Sequence, residues 1–355
     1  MEFSILLPLF IFLLSFVISA LLMQFRPPIK NSHFPEHIIC FITLTTTILC
    51  SLFFTQQDFI SDFNIIKVTT PFGIALILSL LPEIKFLHRI TAILILTSLT
   101  VFGLKLDTNI IPSLSLEINR IIAIIIWSFI TLTFRINNKI SEQILSSTAL
   151  FGFGMFVLFL FKGVPTLLGL ASLSMGASAL AFSLKYWPIS KFKLSNHCAD
   201  SLGFLIGYYV ILSIPEYSFG STIILLMFPL TEVFLALILF SFNYKHSRNL
   251  SQNTSCSKAL FSGLSEQVIA IHSVRIGLLM ILFACFQLYA PSPYSLWLIS
   301  ILTVAWQQYR LMNWQQLSSG INATNQNVII SIKEGYSKLK KTINKTDKED
   351  NGTPR

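Results

Sequence analysis

The stretch Trp187-Pro188-Ile189-Ser190-Lys191-Phe192-Lys193-Leu194-Ser195-Asn196-His197-Cys198-Ala199-Asp200-Ser201-Leu202-Gly203-Phe204 lies between two apolar segments, roughly 164–186 and 201–214. It gathers lysine, asparagine, histidine and aspartate in a chain that spends such residues sparingly. Hydrophobic residues fill 53% of the 355 positions and charged residues 12%, and the mean hydropathy is strongly positive. That composition excludes an ordinary soluble domain and makes a bilayer the natural solvent.

Working outward, apolar runs of spanning length fall at roughly 3–23, 37–54, 67–82, 90–104, 119–134, 147–161, 164–186, 201–214, 220–242, 275–290 and 292–308. The expected fold class is all-α: a polytopic membrane protein of about eleven transmembrane helices, or ten if one short run is not a span. Alternating the loops between two faces gathers the positive charge on one of them. Of the 25 lysines and arginines, only Lys67, Lys105, Arg120 and Lys162 fall on the other face. The positive-inside rule then puts the N-terminus outside and the C-terminus in the cytoplasm. The net charge of +9 follows from this topology and from anionic lipid, so no nucleic-acid partner is expected. Span one lacks the charged leader and small-residue cleavage site of a secretory signal and reads as retained. Cys40, Cys50, Cys198, Cys256 and Cys285 are odd in number and lack metal-type spacing, which argues against disulfides and a zinc site.

Residues 1–310 read as one membrane domain and 311–355 as a cytoplasmic tail. In the tail Val328, Ile329, Ile332, Tyr336, Leu339 and Ile343 recur at helical spacing opposite Lys333, Lys338 and Lys341. This pattern suits a basic amphipathic helix on the inner leaflet, and the composition of 344–355 suits disorder. The longest internal hydrophilic segment, about 243–274, reads as a cytoplasmic loop able to cover a site.

The frame of the central stretch resembles the active-site loop of the polyprenyl-phosphate N-acetylhexosamine-1-phosphate transferases, which typically reads FPPAKIFMGDSGSLFLGF. A gapless overlay keeps Pro188, Lys191, Leu202, Gly203 and Phe204 and puts Asn196 on the central aspartate. The order of spans and of four cytoplasmic loops extends the resemblance over most of residues 1–308. It implies a bacterial inner-membrane protein in which loop aspartates and histidines surround a magnesium ion. There a polyprenyl phosphate would attack a UDP-sugar, giving a lipid-linked sugar phosphate and a nucleoside monophosphate, and the family habit would be a homodimer.

Magnesium prefers hard oxygen ligands, and diphosphate transfer needs charge on the phosphoryl oxygens offset. The overlay removes the groups that would supply both. After span three, the family's paired aspartates become Pro82 and Glu83. With Trp127 as anchor, the asparagines and aspartates of NAFNFIDGIDGL fall on Thr133, Ile136, Lys139 and Glu142. Pro229-Leu230 with Glu232 resembles the family's PLLD, and the same register carries its GLS onto Gly263-Leu264-Ser265. Between them, Thr254, Cys256 and Ser257 take the places of histidines, and none can act as histidine does near neutral pH. Arg26-Pro27-Pro28 and His33-Phe34-Pro35-Glu36-His37 resemble the family's HKxxxPxxGG loop without its glycine pair.

The family positions for catalysis are therefore Glu83, Glu142 and Asn196, all three degenerate, with Lys139 and Lys191 as candidate phosphate ligands. Glu83, Glu142 and Glu232 stand at the cytoplasmic ends of spans, where the alternative to a site is a solvated terminus or a structural ion pair with Arg89 or Arg135. Asp200 lies four residues, about one helical turn, from the lost aspartate. His197 reads as a solvated loop histidine, and Lys191 equally suits a topology determinant.

Three functions follow. One is an inactive or impaired relative that binds polyprenyl phosphate or another anionic lipid and regulates envelope glycolipid synthesis, in a complex with an active homologue. Another is a working transferase with altered residues, requiring Mg2+ and a UDP-sugar. The third is a lipid carrier or transporter, which would show paired broken helices and a midplane polar site. No metal-ligand set and no other cofactor are expected.

Overall fold

The computed structural model describes residues 3–24, 65–80, 86–106, 108, 110–111, 113–161, 167–186, 194–214, 219–242, 250–290 and 295–313. The run at 37–54, Glu83, Lys191 and the amphipathic pattern of the tail lie outside the described residues, as does the side chain of Glu142. The described chain forms α1 (Phe3–Gln24), α2 (Ile65–Leu80), α3 (Phe86–Gly103), α4 (Leu116–Ile136), α5 (Ser141–Phe161), α6 (Leu167–Tyr186), α7 (Asn196–Ser213), α8 (Phe219–Leu225), α9 (Met227–Phe242), α10 (Ser255–Phe261), α11 (Glu266–Leu288) and α12 (Trp297–Met312), with a 3-10 turn at Leu250–Gln252. No strand occurs among the described residues. By length and composition α3, α4, α5 and α11 can each cross a membrane, and α8 with α9 makes a fifth span if the bent pair is counted as one.

Local chemistry sets the boundaries. Ser115 precedes α4 in an extended conformation, with Glu117 in its first turn and Arg135 in its last, the arrangement that complements the helix dipole. The Asn119 side chain folds back on the preceding loop, accepting from the Ile111 N–H at 2.9 Å and donating to its carbonyl at 3.0 Å. Ser195 caps α7 by accepting from the Cys198 N–H, and Ser265 caps α11 by accepting from that of Val268.

Three sequence expectations change here. The stretch from Asn196 to Asp200, expected as loop ahead of the run at 201–214, is helix. The hydrophilic segment 243–274 contains α10 and the opening turns of α11. The run 220–242 bends by 74° between α8 and α9. Pro229 explains the bend, because it lacks the N–H that the Leu225 carbonyl would need and its ring collides with that carbonyl in a continuous helix.

Helix α7 is the hub. It packs against α4 on one side and α2 on another, while α5 packs between α6 and α11, and α1 lies on α6. Trp127 of α4 is fully buried against the rings of Phe204 and Tyr208, and its indole N–H donates to the Phe204 carbonyl at 2.7 Å. Gly207 lets the ring in, since a Cβ there would stand 2.2 Å from Trp127 Cδ1.

Between α5 and α6 the backbones themselves meet. A Cβ on Gly152 would lie 2.4 Å from the Ser172 carbonyl oxygen and 2.7 Å from Gly176 Cα. Small residues at such crossings replace the hydrophobic drive that helices lack in lipid. Gly152→Ala is expected to part the helices and cost about 1–3 kcal/mol in thermal unfolding in detergent. Gly73→Ala, with open space around the new methyl, is the control. Equal melting of the two variants would contradict the close contact.

Candidate functional site

Three charged groups meet where the C-terminal ends of α2 and α4 adjoin the N-terminal ends of α3 and α7. Asp200, one turn into α7, is completely buried, and its Oδ2 accepts from Arg89 Nε of α3 at 2.8 Å and from Arg135 Nη1 of α4 at 2.7 Å. Arg89 is as buried as its partner and also donates from Nη2 to the Leu78 carbonyl of α2 at 2.6 Å. Four helices are thus fastened at one point. Arg135 is the partly exposed member, its side chain 12% accessible, with its guanidinium 6.0 Å from the Phe86 ring centroid. Asp200 Oδ1 and Arg89 Nη1 have no hydrogen-bond partner among the described residues.

Just beyond α4 the chain turns through Asn137, Asn138 and Lys139. Asn137 donates to the Pro229 carbonyl of α9 at 3.1 Å. Asn138 donates to the Leu194 carbonyl at 2.9 Å and to Asn196 Oδ1 at 3.2 Å. The Leu194 N–H in turn donates to Ser141 Oγ at 2.7 Å. Lys139 Nζ sits 5.0 Å from the Phe261 ring centroid of α10, a cation–π contact. Partial burial pushes its pKa below the ordinary lysine value.

Glu232 completes this end of the molecule. It is not a solvated helix terminus but a fully buried side chain of α9. Its Oε1 accepts from the Ser255 hydroxyl and, at 3.5 Å, from the Cys256 thiol of α10. Burial foremost, then the neighbouring Glu232 charge, pushes the Cys256 thiol well above its ordinary value, so it is a poor nucleophile. Thr254 Oγ1 caps α10 by accepting from the Ser257 N–H at 3.2 Å and donates to the Ser257 hydroxyl at 2.8 Å. Ser257 donates onward to the Ser251 carbonyl. The side chains aligned with the family's histidines therefore hold a short helix in place.

Of the expected site residues, the structure brings Lys139 and Asn196 to the same corner through Asn138, and Ser141 there starts the helix that contains Glu142. Arg89 and Arg135 pair with Asp200, while the side chains of Glu83 and Glu142, the glutamates expected to pair with them, lie outside the described residues. His197 is corrected, from a solvated loop residue to a buried one in the first turn of α7. Sequence reasoning missed Arg89 and Arg135 as partners of Asp200, and missed Asn137 and Asn138 altogether. The available signal was a carboxylate and two arginines at the ends of apolar runs, where ionised groups are expensive unless paired.

A magnesium ion needs several hard oxygen donors. Among the described residues no three histidines, cysteines, aspartates or glutamates converge. Asp200 is committed to two guanidinium groups, Glu232 to Ser255 and Cys256, and Lys139 brings a cation to a family aspartate position. The donors among the described residues do not by themselves fit the metal. Among the described side chains, Arg89, Arg135 and Lys139 bring three cations to the corner where Asp200 is already paired, and such a grouping suits an anion. No protein-family model matches the chain, and no curated protein matches it.

Proposed function

We propose that this protein is a divergent, catalytically inactive relative of the polyprenyl-phosphate sugar-1-phosphate transferases that binds a lipid phosphate and regulates envelope glycolipid synthesis. The observation that carries the reading is the commitment of Asp200 to Arg89 and Arg135, which withholds a carboxylate from any metal and leaves the corner cationic. Arg135 and Lys139 hold the phosphate, with Lys191 as a third ligand from the neighbouring segment. The resemblance of Pro188 to Phe204 to the transferase loop supplies the lipid's identity, a polyprenyl phosphate.

In this reading about eleven spans cross a bacterial inner membrane, with the N-terminus outside and the tail in the cytoplasm. The distribution of basic residues supports that orientation. The phosphate-binding corner then faces the leaflet from which glycolipid synthesis starts, where a homodimer or a complex with an active homologue would act. The carrier reading calls for two broken helices, and one bent pair occurs among the described residues.

The test uses the purified full chain in nanodiscs. Polyprenyl phosphate is expected to bind, and Lys139→Gln to weaken binding roughly tenfold, in line with the loss of one charge-assisted hydrogen bond. With UDP-GlcNAc, polyprenyl phosphate and magnesium, no UMP should appear. UMP release abolished by a chelator would replace this reading with the working transferase. Absence of polyprenyl-phosphate binding would remove the lipid-phosphate site.

A further inference from the structure

The outward face of α11 is a lipid-type stripe with one exception. Val268, Ile271, Arg275, Leu278, Leu282 and Phe286 recur at three-to-four residue spacing and are all exposed. Five are apolar, and the sixth is an arginine. Among the described residues Arg275 has no acidic partner within ion-pair distance, and neither does Arg310, exposed in the last turn of α12. The two belong together, because α11 and α12 touch and meet at their connected ends, where Gln287 Oε1 accepts from the Leu296 N–H at 2.8 Å, and Arg275 lies 13 residues before Leu288 just as Arg310 lies 13 after Trp297.

A cation set into an apolar, lipid-facing stripe is costly unless it reaches the interface or meets an opposite charge. The level of Arg275 is marked by its neighbours. Trp306 and Tyr309 of α12 are exposed and stacked, with ring centroids 6.1 Å apart. Exposed tryptophan and tyrosine favour the headgroup level of a bilayer. Beyond them α12 presents Leu298 and Leu302 outward, and α11 presents Leu278 and Leu282, surfaces on which acyl chains can lie.

We propose that Arg275 and Arg310, flanked by Trp306 and Tyr309, form a headgroup site for an anionic phospholipid on the α11–α12 face. This site is distinct from the Arg135–Lys139 corner and does not depend on the polyprenyl-phosphate reading. The lipid phosphate supplies the negative charge that the described protein residues do not, and the aromatic pair fixes its depth. The same lipid fastens α12 to α11 from outside, while inside the bundle Gln308 Nε2 donates to Thr231 Oγ1 of α9 at 2.8 Å.

Native mass spectrometry of the detergent-purified full chain, with phosphatidylglycerol against phosphatidylcholine, tests the site. The wild type should prefer phosphatidylglycerol, and the preference should fall as salt is added. Arg275→Gln with Arg310→Gln should lower it about fivefold for each arginine, whereas Arg275→Lys with Arg310→Lys should keep most of it. Lys139→Gln should leave it unchanged even as polyprenyl-phosphate binding weakens. Equal binding of the two lipids, a preference indifferent to salt, or one that survives in the double glutamine variant would overturn the proposal. Loss in Lys139→Gln would overturn it too, by moving the lipid to the other corner. If the glutamine variant does not fold, the salt titration and the lysine pair still decide.

Discussion

Asp200→Asn is expected to destabilise the protein by about 3–5 kcal/mol, because it leaves two guanidinium groups inside the bundle without their shared counter-ion. Asparagine preserves the volume and one acceptor oxygen, so the loss reports charge rather than packing. Arg89 bears most of the strain. It is fully buried and keeps only the Leu78 carbonyl, whereas Arg135, partly open beside Phe86, can turn toward water. Removing the charges together is the informative contrast. Asp200→Leu combined with Arg89→Met and Arg135→Met should recover much of the loss, since a buried ionic cluster replaced by packed apolar side chains is often neutral or better. Denaturation in mixed micelles measures both. A single Asn variant as stable as wild type would mean that the arginines find other partners, and the four-helix fastening would then be wrong.

Trp127→Ala should cost about 3–5 kcal/mol, the usual consequence of emptying a large aromatic site that cannot collapse. The indole fills the angle between Phe204 and Tyr208 and satisfies the Phe204 carbonyl, so truncation opens a cavity and removes a buried donor. Gly207→Ala attacks the same contact from the other side, pushing a methyl to 2.2 Å from Trp127 Cδ1. Alone it forces the ring from its hydrogen bond. Combined with Trp127→Ala it meets empty space, so the two losses should be strongly non-additive, with the double variant no worse than the tryptophan variant. Additive losses would show that ring and glycine do not share one contact.

The sequence makes the helices legible because apolar runs of spanning length have few other uses. Their ends are less legible, and α7 shows why. Asn196, His197 and Asp200 interrupt the hydropathy and read as a loop, yet they are helical and largely buried because Asn138, Arg89 and Arg135 supply the polar environment that solvent otherwise would. Hydropathy prices a residue against water or lipid and is silent about a protein partner. Glu232 is the same case, with Ser255 and Cys256 as its partners. The opening of α11 hides differently, since Ser265 and Glu266 make a good helix start on a segment too polar to count as a span. Of the candidate site, the cationic corner was visible in Lys139. The triad was not, because its members are separated by 111 and 65 positions and no local pattern encodes such a pairing.

The burial of α7 also bears on how the protein is assembled. Nearly every residue from His197 to Ser213 is covered by other helices, and α7 is not among the helices apolar enough to cross a membrane by itself. Partitioning into lipid gives such a segment little reason to leave the insertion machinery, and Asp200 gives it one to stay. What draws it in is a prepared berth: Arg89 and Arg135 stand on helices made earlier in synthesis, and Trp127 waits with them for Gly207. Gathering of α2, α3 and α4 is therefore expected to precede the burial of α7, and truncation before α4 should leave α7 outside the bundle.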